Sequence, residues 1–198
     1  MKQKFTITEH RNLWLSADSH FSHSLFVRHK LRPFDSLHEM NKHLIDAWNS
    51  VVRKTDLVVH LGDFSWNDPE PFIKRLNGDI LLVFGNHDHK ARKKPELFFR
   101  TCDLLDLKIT DMNEKKYHIC CCHYAMRTWN KSHWGSFHTH GHSHGSLPPI
   151  GKQLDVGVDN AVKLLGEYRP FSFKEFLEIM NKAPATPTID HHTREDIF

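Results

Sequence analysis

The chain has 198 residues, 39% hydrophobic and 26% charged, with a formal net charge of +3 and 18 histidines. That length fits one α/β domain with a short tail, and the charge is too small to imply nucleic-acid binding by itself. Average usage would give a chain of this size only about a quarter as many histidines, so histidine is the residue to follow.

Leu13 to Ala17 is a short apolar strand that ends at Asp18-Ser19-His20. Ser36-Leu37-His38-Glu39 is a capping box. It opens a helix whose apolar positions Leu37, Met40, Leu44, Trp48 and Val51 recur at helical spacing. Leu57 to Leu61 is a buried strand ending in Gly62-Asp63. Asp68-Pro69 begins a second helix that stops near Asn77-Gly78. Ile80 to Phe84 is the next strand and runs into Gly85-Asn86-His87-Asp88. Leu104 to Ile109 and Tyr117 to Cys122 are two strands joined by the polar turn Asp111 to Lys116, and His123 follows. Phe137 to His140 is a short strand before Gly141-His142-Ser143-His144, and Leu154 to Val158 is another. Ser172-Phe173-Lys174-Glu175, a second capping box, opens a last helix through Met180. After Ala183 the chain is Pro/Thr-rich and then polar, and residues 184–198 read as a loose tail to a domain of residues 1–183.

Alternating strands and helices in the first half imply a largely parallel sheet, and closely spaced strands in the second half imply antiparallel pairing. Cys102, Cys120, Cys121 and Cys122 have neither zinc-ribbon nor disulfide-framework spacing. With no apolar leader or membrane-length run, a reducing cytosol is the simple reading.

The chemistry gathers where strands end, which is where ligands sit in open α/β sheets. Asp18 and His20 lie two apart, as do His142 and His144, so each pair can face one way. Asp63 follows a glycine that permits close backbone approach, which suits a carboxylate bridging two cations. Asn86 offers a neutral oxygen. His87 is placed as a proton donor to a leaving group, and Asp88 as the group that orients its ring. His23 and Arg127 are candidates for gripping a phosphate. Taken singly these fragments are common in turns. In this order they point to a two-metal phosphoester hydrolase that activates water.

His60, inside an apolar strand, reads as a core histidine, and His138 and His140 read as sheet-packing or supporting residues. The basic run His89 to Lys94 reads as a solvated helix face. Trp129, Trp134 and Phe137 read as core.

On these motifs the chain resembles the calcineurin-like metallophosphoesterases, whose pattern is Asp-x-His, Gly-Asp, Gly-Asn-His-Asp/Glu, a lone His and Gly-His-x-His. The match spans about residues 13–160. The resemblance implies a four-layer αββα sandwich of two mixed sheets flanked by helices. It implies one divalent ion on Asp18, His20, Asp63 and His144, and another on Asp63, Asn86, His123 and His142, with His87 catalytic. Mn²⁺ leads the metals such ligands serve, with Fe, Zn, Ni and Mg as alternatives. Where many members have a glycine after the first His, this chain has Phe21-Ser22-His23, as in a compact bacterial or phage branch. Small phosphodiesters are the favoured substrates. Phosphomonoesters, nucleotides and nucleic acid are less favoured, and a non-catalytic scaffold would not keep every ligand position filled.

Overall fold

The computed structural model describes residues 2–8, 11–111 and 113–186. In chain order its strands are β1 (Lys2–Thr8), β2 (Leu13–Ser16), β3 (Leu57–His60), β4 (Asp79–Val83), β5 (Arg100–Cys102), β6 (Leu104–Thr110), β7 (Lys116–Cys121), β8 (Phe137–His140), β9 (Gln153–Asp155) and β10 (Phe171–Ser172). The α-helices are α1 (Leu25–Arg28), α2 (Leu37–Val51), α3 (Glu70–Ile73), α4 (Val158–Leu165) and α5 (Phe173–Lys182).

The strands form two five-stranded mixed sheets, ordered β10-β2-β3-β4-β5 and β1-β6-β7-β8-β9. In the first sheet β2 to β5 are parallel and β10 is antiparallel to β2. The second half is less antiparallel than its short spacings imply. Within the second sheet only β6 and β7 pair that way, while β1 pairs with β6, β7 with β8 and β8 with β9 in parallel. The Tyr124–Gly135 segment makes the parallel β7–β8 crossover, a long loop that strand spacing alone reads as a return.

The alternation within each strand sorts side chains between two cores. Leu57 and Val59 face the second sheet and pack with Leu105, Leu107, Ile119, Phe171 and Phe176. Val58 and Ile80 face outward and are covered by Met40, Leu44 and Trp48 of α2. Ser36 caps α2 through the Glu39 amide, and Ser172 with Glu175 forms a complete capping box on α5. On the second sheet's outer face lies the Tyr124–Gly135 loop, whose buried Trp129 stacks on His138.

Several elements depart from the sequence reading. α3 is a single turn, because Asn77 is clamped to the end of α2 through Trp48, Asn49 and Val52. The strand expected to reach Val158 stops at Asp155. Gly157 then opens α4, its carbonyl taking the Asn160 and Ala161 amides. Lys152 donates to Thr186, so the first residues beyond Ala183 dock on the domain. Residues 187–198 of the expected tail lie outside the described residues. Among the described residues no helix is long and apolar enough to cross a membrane.

Candidate metal centre

The loops after β2 and β3 run side by side beyond their strands. The Asp18 amide donates to Gly62 O, His20 to Asp63 O and Phe21 to Phe64 O, each at 2.9–3.0 Å. Asp18, His20, Asp63, His142 and His144 all have positive φ, between 48° and 67°. Each such conformation costs about 1–3 kcal/mol in a non-glycine residue and persists only where the surroundings fix it. The clustering of this strain on candidate ligands is itself a site signal. Gly62 and Gly85 are glycine for a steric reason. A Cβ on either would drive into the other loop's backbone and the His123 ring.

The side chains converge in two groups. Ligand atoms of Asp18, His20 and His144 lie within 4.8 Å of one another, and so do those of Asp63, His123 and His142. Asp63 Oδ2 stands between the groups, 3.6 Å from His20 Nε2 and 3.5 Å from His123 Nε2. Asn86 Oδ1 lies 3.0 Å from His123 Nε2 and 3.1 Å from His142 Nδ1. All seven residues expected as ligands therefore meet in one place.

Supporting contacts set which nitrogen each ring turns inward. Leu61 O lies 2.7 Å from His123 Nδ1, and Asp159 lies 2.7 Å from His144 Nδ1, which leaves both Nε2 atoms for the centre. The fully buried Arg32 guanidinium grips both Asp159 oxygens at 2.8 Å and the Asp18 and Ser19 carbonyls. Asp155 holds the Ser143 hydroxyl and the Gly145 and Gly157 amides, shaping the last ligand loop.

Burial, then the nearby Asp155, Asp63 and Asp159, push the Asp18 carboxyl well above its ordinary range. Burial depresses His20 strongly, against the pull of Asp63. At Asp63 burial opposes the anion, but His123, His20 and the His87 amide win and hold the carboxyl well below its usual value. His123 is raised despite burial, because Asp63 favours its cation.

The residues fit divalent cations. Asp18 Oδ1 and His20 Nε2 are buried with no hydrogen-bond partner, and both belong to one of the two groups. Orphaned buried polar atoms cost about 1–3 kcal/mol each. A carboxylate, imidazole and carboxamide set without thiolate matches Mn²⁺, Fe, Zn or Ni.

Other expected site residues fall differently. His87 donates its amide to Asp63 Oδ1, and its ring centroid stands 5.7 Å from His20 and 5.3 Å from Trp66. Asp88 does not orient that ring. Its carboxylate accepts the Asp63, Phe64 and Gly85 amides, tying the β3 and β4 loops together. Backbone donors converging from both loops claim its oxygens first. His23 does reach the centre, with Nδ1 3.3 Å from His20 Nδ1 and its ring stacked 4.1 Å from Trp66. Arg127 is exposed on the Tyr124–Gly135 loop and, among the described residues, makes no hydrogen bond or ion pair to the centre.

His60 is a core histidine on Ser19, depressed to about 3 by burial. His138 packs the second sheet, with Nδ1 2.8 Å from Cys120 O, and His140 is buried with Nδ1 2.9 Å from Gly141 O. Trp129 and Phe137 pack as expected, whereas Trp134 is 74% exposed. The basic run forms short 3-10 turns rather than a helix, and Arg92 and Lys94 are paired with Asp103, Asp68 and Glu70.

Sequence reasoning missed Arg32, Trp66, Tyr124, Asp155 and Asp159. Asp155 sits at a strand end, the same signal that marked Asp18 and Asp63, whereas Asp159 lies in the first turn of a helix. Arg32 lies in an irregular loop and carries no local signal.

The chain matches no protein-family model. It is 29% identical over 192 residues to an uncharacterized protein of Methanocaldococcus jannaschii, covering 91% of this chain and 97% of that one. It is 34% identical over 84 residues to the gene 66 protein of Mycobacterium phage L5, 39% of this chain and 40% of that protein. The crystal structure of a protein of unknown function from Aquifex aeolicus has a TM-score of 0.62 at 21% identity, covering 85% of this chain and 99% of that one. That similarity extends to the fold.

Proposed function

We propose that this protein is a two-metal phosphoester hydrolase acting on small phosphodiesters. The observation that carries the reading is Asp63 Oδ2, set between two ligand groups at 3.6 and 3.5 Å from the facing imidazoles. Bound divalent cations, Mn²⁺ first among them, would supply Lewis acidity and an acidified water. Asp18, His20 and His144 would hold one, Asn86, His123 and His142 the other, and Asp63 both.

The chain's own residues supply the rest. His87, its ring centroid 5.7 Å from that of His20, would give a proton to a departing alkoxide. A proton donor helps most with a poor leaving group, which favours diesters. His23, held flat on Trp66 with Nδ1 3.3 Å from His20 Nδ1, would meet a phosphate oxygen there. Arg32 and Asp159 keep His144 in one tautomer.

The test is turnover of a bis-aryl phosphate against a mono-aryl phosphate by metal-stripped protein reloaded with Mn²⁺. Faster diester hydrolysis, lost with the metal and in Asp63→Asn, is the expected result. No Mn-dependent turnover of either ester would overturn the reading, and faster monoester hydrolysis would move it to a phosphatase.

A further inference from the structure

Beside the centre lies a cleft of about 870 Å³ with His142 and His144 in its wall. That volume is in the range of about 300–1,000 Å³ typical of small-molecule sites. Phe26, Leu31, Leu147, Val162 and Tyr168 line it as well, together with two serines, Asp159 and Lys163. Leu31 is 64% exposed and Leu147 47%. They are large apolar side chains left in water at the edge of a polar site.

The charges around the cleft are already engaged. Lys163 Nζ donates to the carbonyls of His144 and Gly145 at 3.3 and 2.9 Å. Asp159 is held by Arg32 and His144, and the Arg32 guanidinium lies 4.3 Å from the Phe26 ring centroid. The cleft therefore offers no unpaired cation to a second phosphate and no free anion to a basic group. Its unused capacity is apolar contact.

We infer that this cleft receives an apolar, aromatic-sized ester group of the substrate, so that the protein selects phosphodiesters carrying such a group over those carrying a small alkyl one. The inference rests on the hydrolase reading, because His142 and His144 belong to both the centre and the cleft. Burying an apolar group there removes Leu31 and Leu147 from water, while the phosphate stays at the ligand groups. A hydrophobic pocket discriminates by about 10–200-fold even for one methylene.

The experiment compares 2-naphthyl p-nitrophenyl phosphate with methyl p-nitrophenyl phosphate on the Mn-loaded protein, reading nitrophenolate from both. The leaving group is constant, so the ratio of kcat/KM reports the other ester group. The naphthyl ester should lead by at least about tenfold. Leu147→Asp and Leu31→Asp should bring the ratio toward one. Trp134→Ala, remote from the cleft, should leave it unchanged. A wild-type ratio near one overturns the inference while leaving the hydrolase reading intact.

If neither ester is hydrolysed, the hydrolase reading fails by itself. Binding of 2-naphthyl phosphate, followed by its fluorescence anisotropy, then decides the cleft. At least about tenfold weaker binding by Leu147→Asp supports it, and equal binding overturns it. Sedimentation of the same variant tests another occupant. A wild-type dimer that Leu147→Asp dissociates, with no change in ratio or binding, would assign the cleft to a second copy and overturn the inference.

Discussion

At the centre, single residues divide into those that can bind a cation and those that position them. His87 does more than position, since its amide holds Asp63 while its ring stands beside those of His20 and Trp66. His87→Ala is expected to keep metal content and fold yet lose roughly 10²–10⁴ in turnover, the usual worth of general acid–base catalysis. Near-normal rates on an ester with a poor leaving group would remove His87 from the mechanism. Arg32 is purely a positioning residue. Its side chain is fully buried and neutralises Asp159, which in turn holds His144. Arg32→Met leaves that carboxylate without its cation, a loss of about 3–5 kcal/mol for a broken buried pair. Urea unfolding of the variant checks this, and an unchanged midpoint would show that Asp159 finds compensation elsewhere.

At the level of elements, the site is a set of strand-end loops held in register. β2, β3 and β4 are parallel, so their ligand loops emerge on one side. Asp88 locks two of these loops, its Oδ2 on the Asp63 and Gly85 amides and its Oδ1 on the Phe64 amide. Asp88→Asn offers one acceptor oxygen and turns an NH₂ toward a backbone N–H. That should cost about 1–3 kcal/mol for the unsatisfied donor. Mn²⁺ affinity, measured by calorimetry, should fall with it, because Asp63 sits on the loosened loop. A variant with wild-type stability and affinity would contradict this role.

For the whole molecule, the proposed metal centre should make stability depend on pH and metal together. The folded pKa of Asp18 is raised above its ordinary value of 3.8. Its contribution in the metal-free protein is therefore full below that value and is lost as pH rises through the folded pKa. The folded pKa of His20 is lowered from 6.5. Its contribution is full above 6.5 and is lost as pH falls toward the folded value. Cations relieve the first penalty and bind only deprotonated ligands. The rise in Tm on adding Mn²⁺ should therefore be larger at pH 8 than at pH 6. Scanning calorimetry with and without metal at the two pH values checks this, and an equal rise at both would mean that the ligands do not titrate with binding.

Strands β2, β3 and β4 with their terminal Asp18, Asp63 and Asn86 were legible from sequence, because a short apolar run followed by a polar residue is a local pattern. So were the Ser36 cap of α2, whose Glu39 carboxylate takes the Asp35 amide and leaves the box half formed, the capping box of α5 and the paired histidines of the last loop. These depend on neighbours within about four residues. α4 was not legible, since Leu154 to Val158 satisfies strand alternation as well as helix entry, and only the Gly157 turn separates them. Nor were the roles of Asp88 and Arg32. Asp88 beside His87 in sequence is drawn to backbone amides of another loop, and Arg32 reaches Asp159 across 127 positions. Residue types and strand ends were set by the sequence alone. Which donors meet which acceptors was decided by the packing of the two sheets and their loops, because a buried polar group bonds the partner that tertiary structure brings within 3 Å, wherever it lies in the chain.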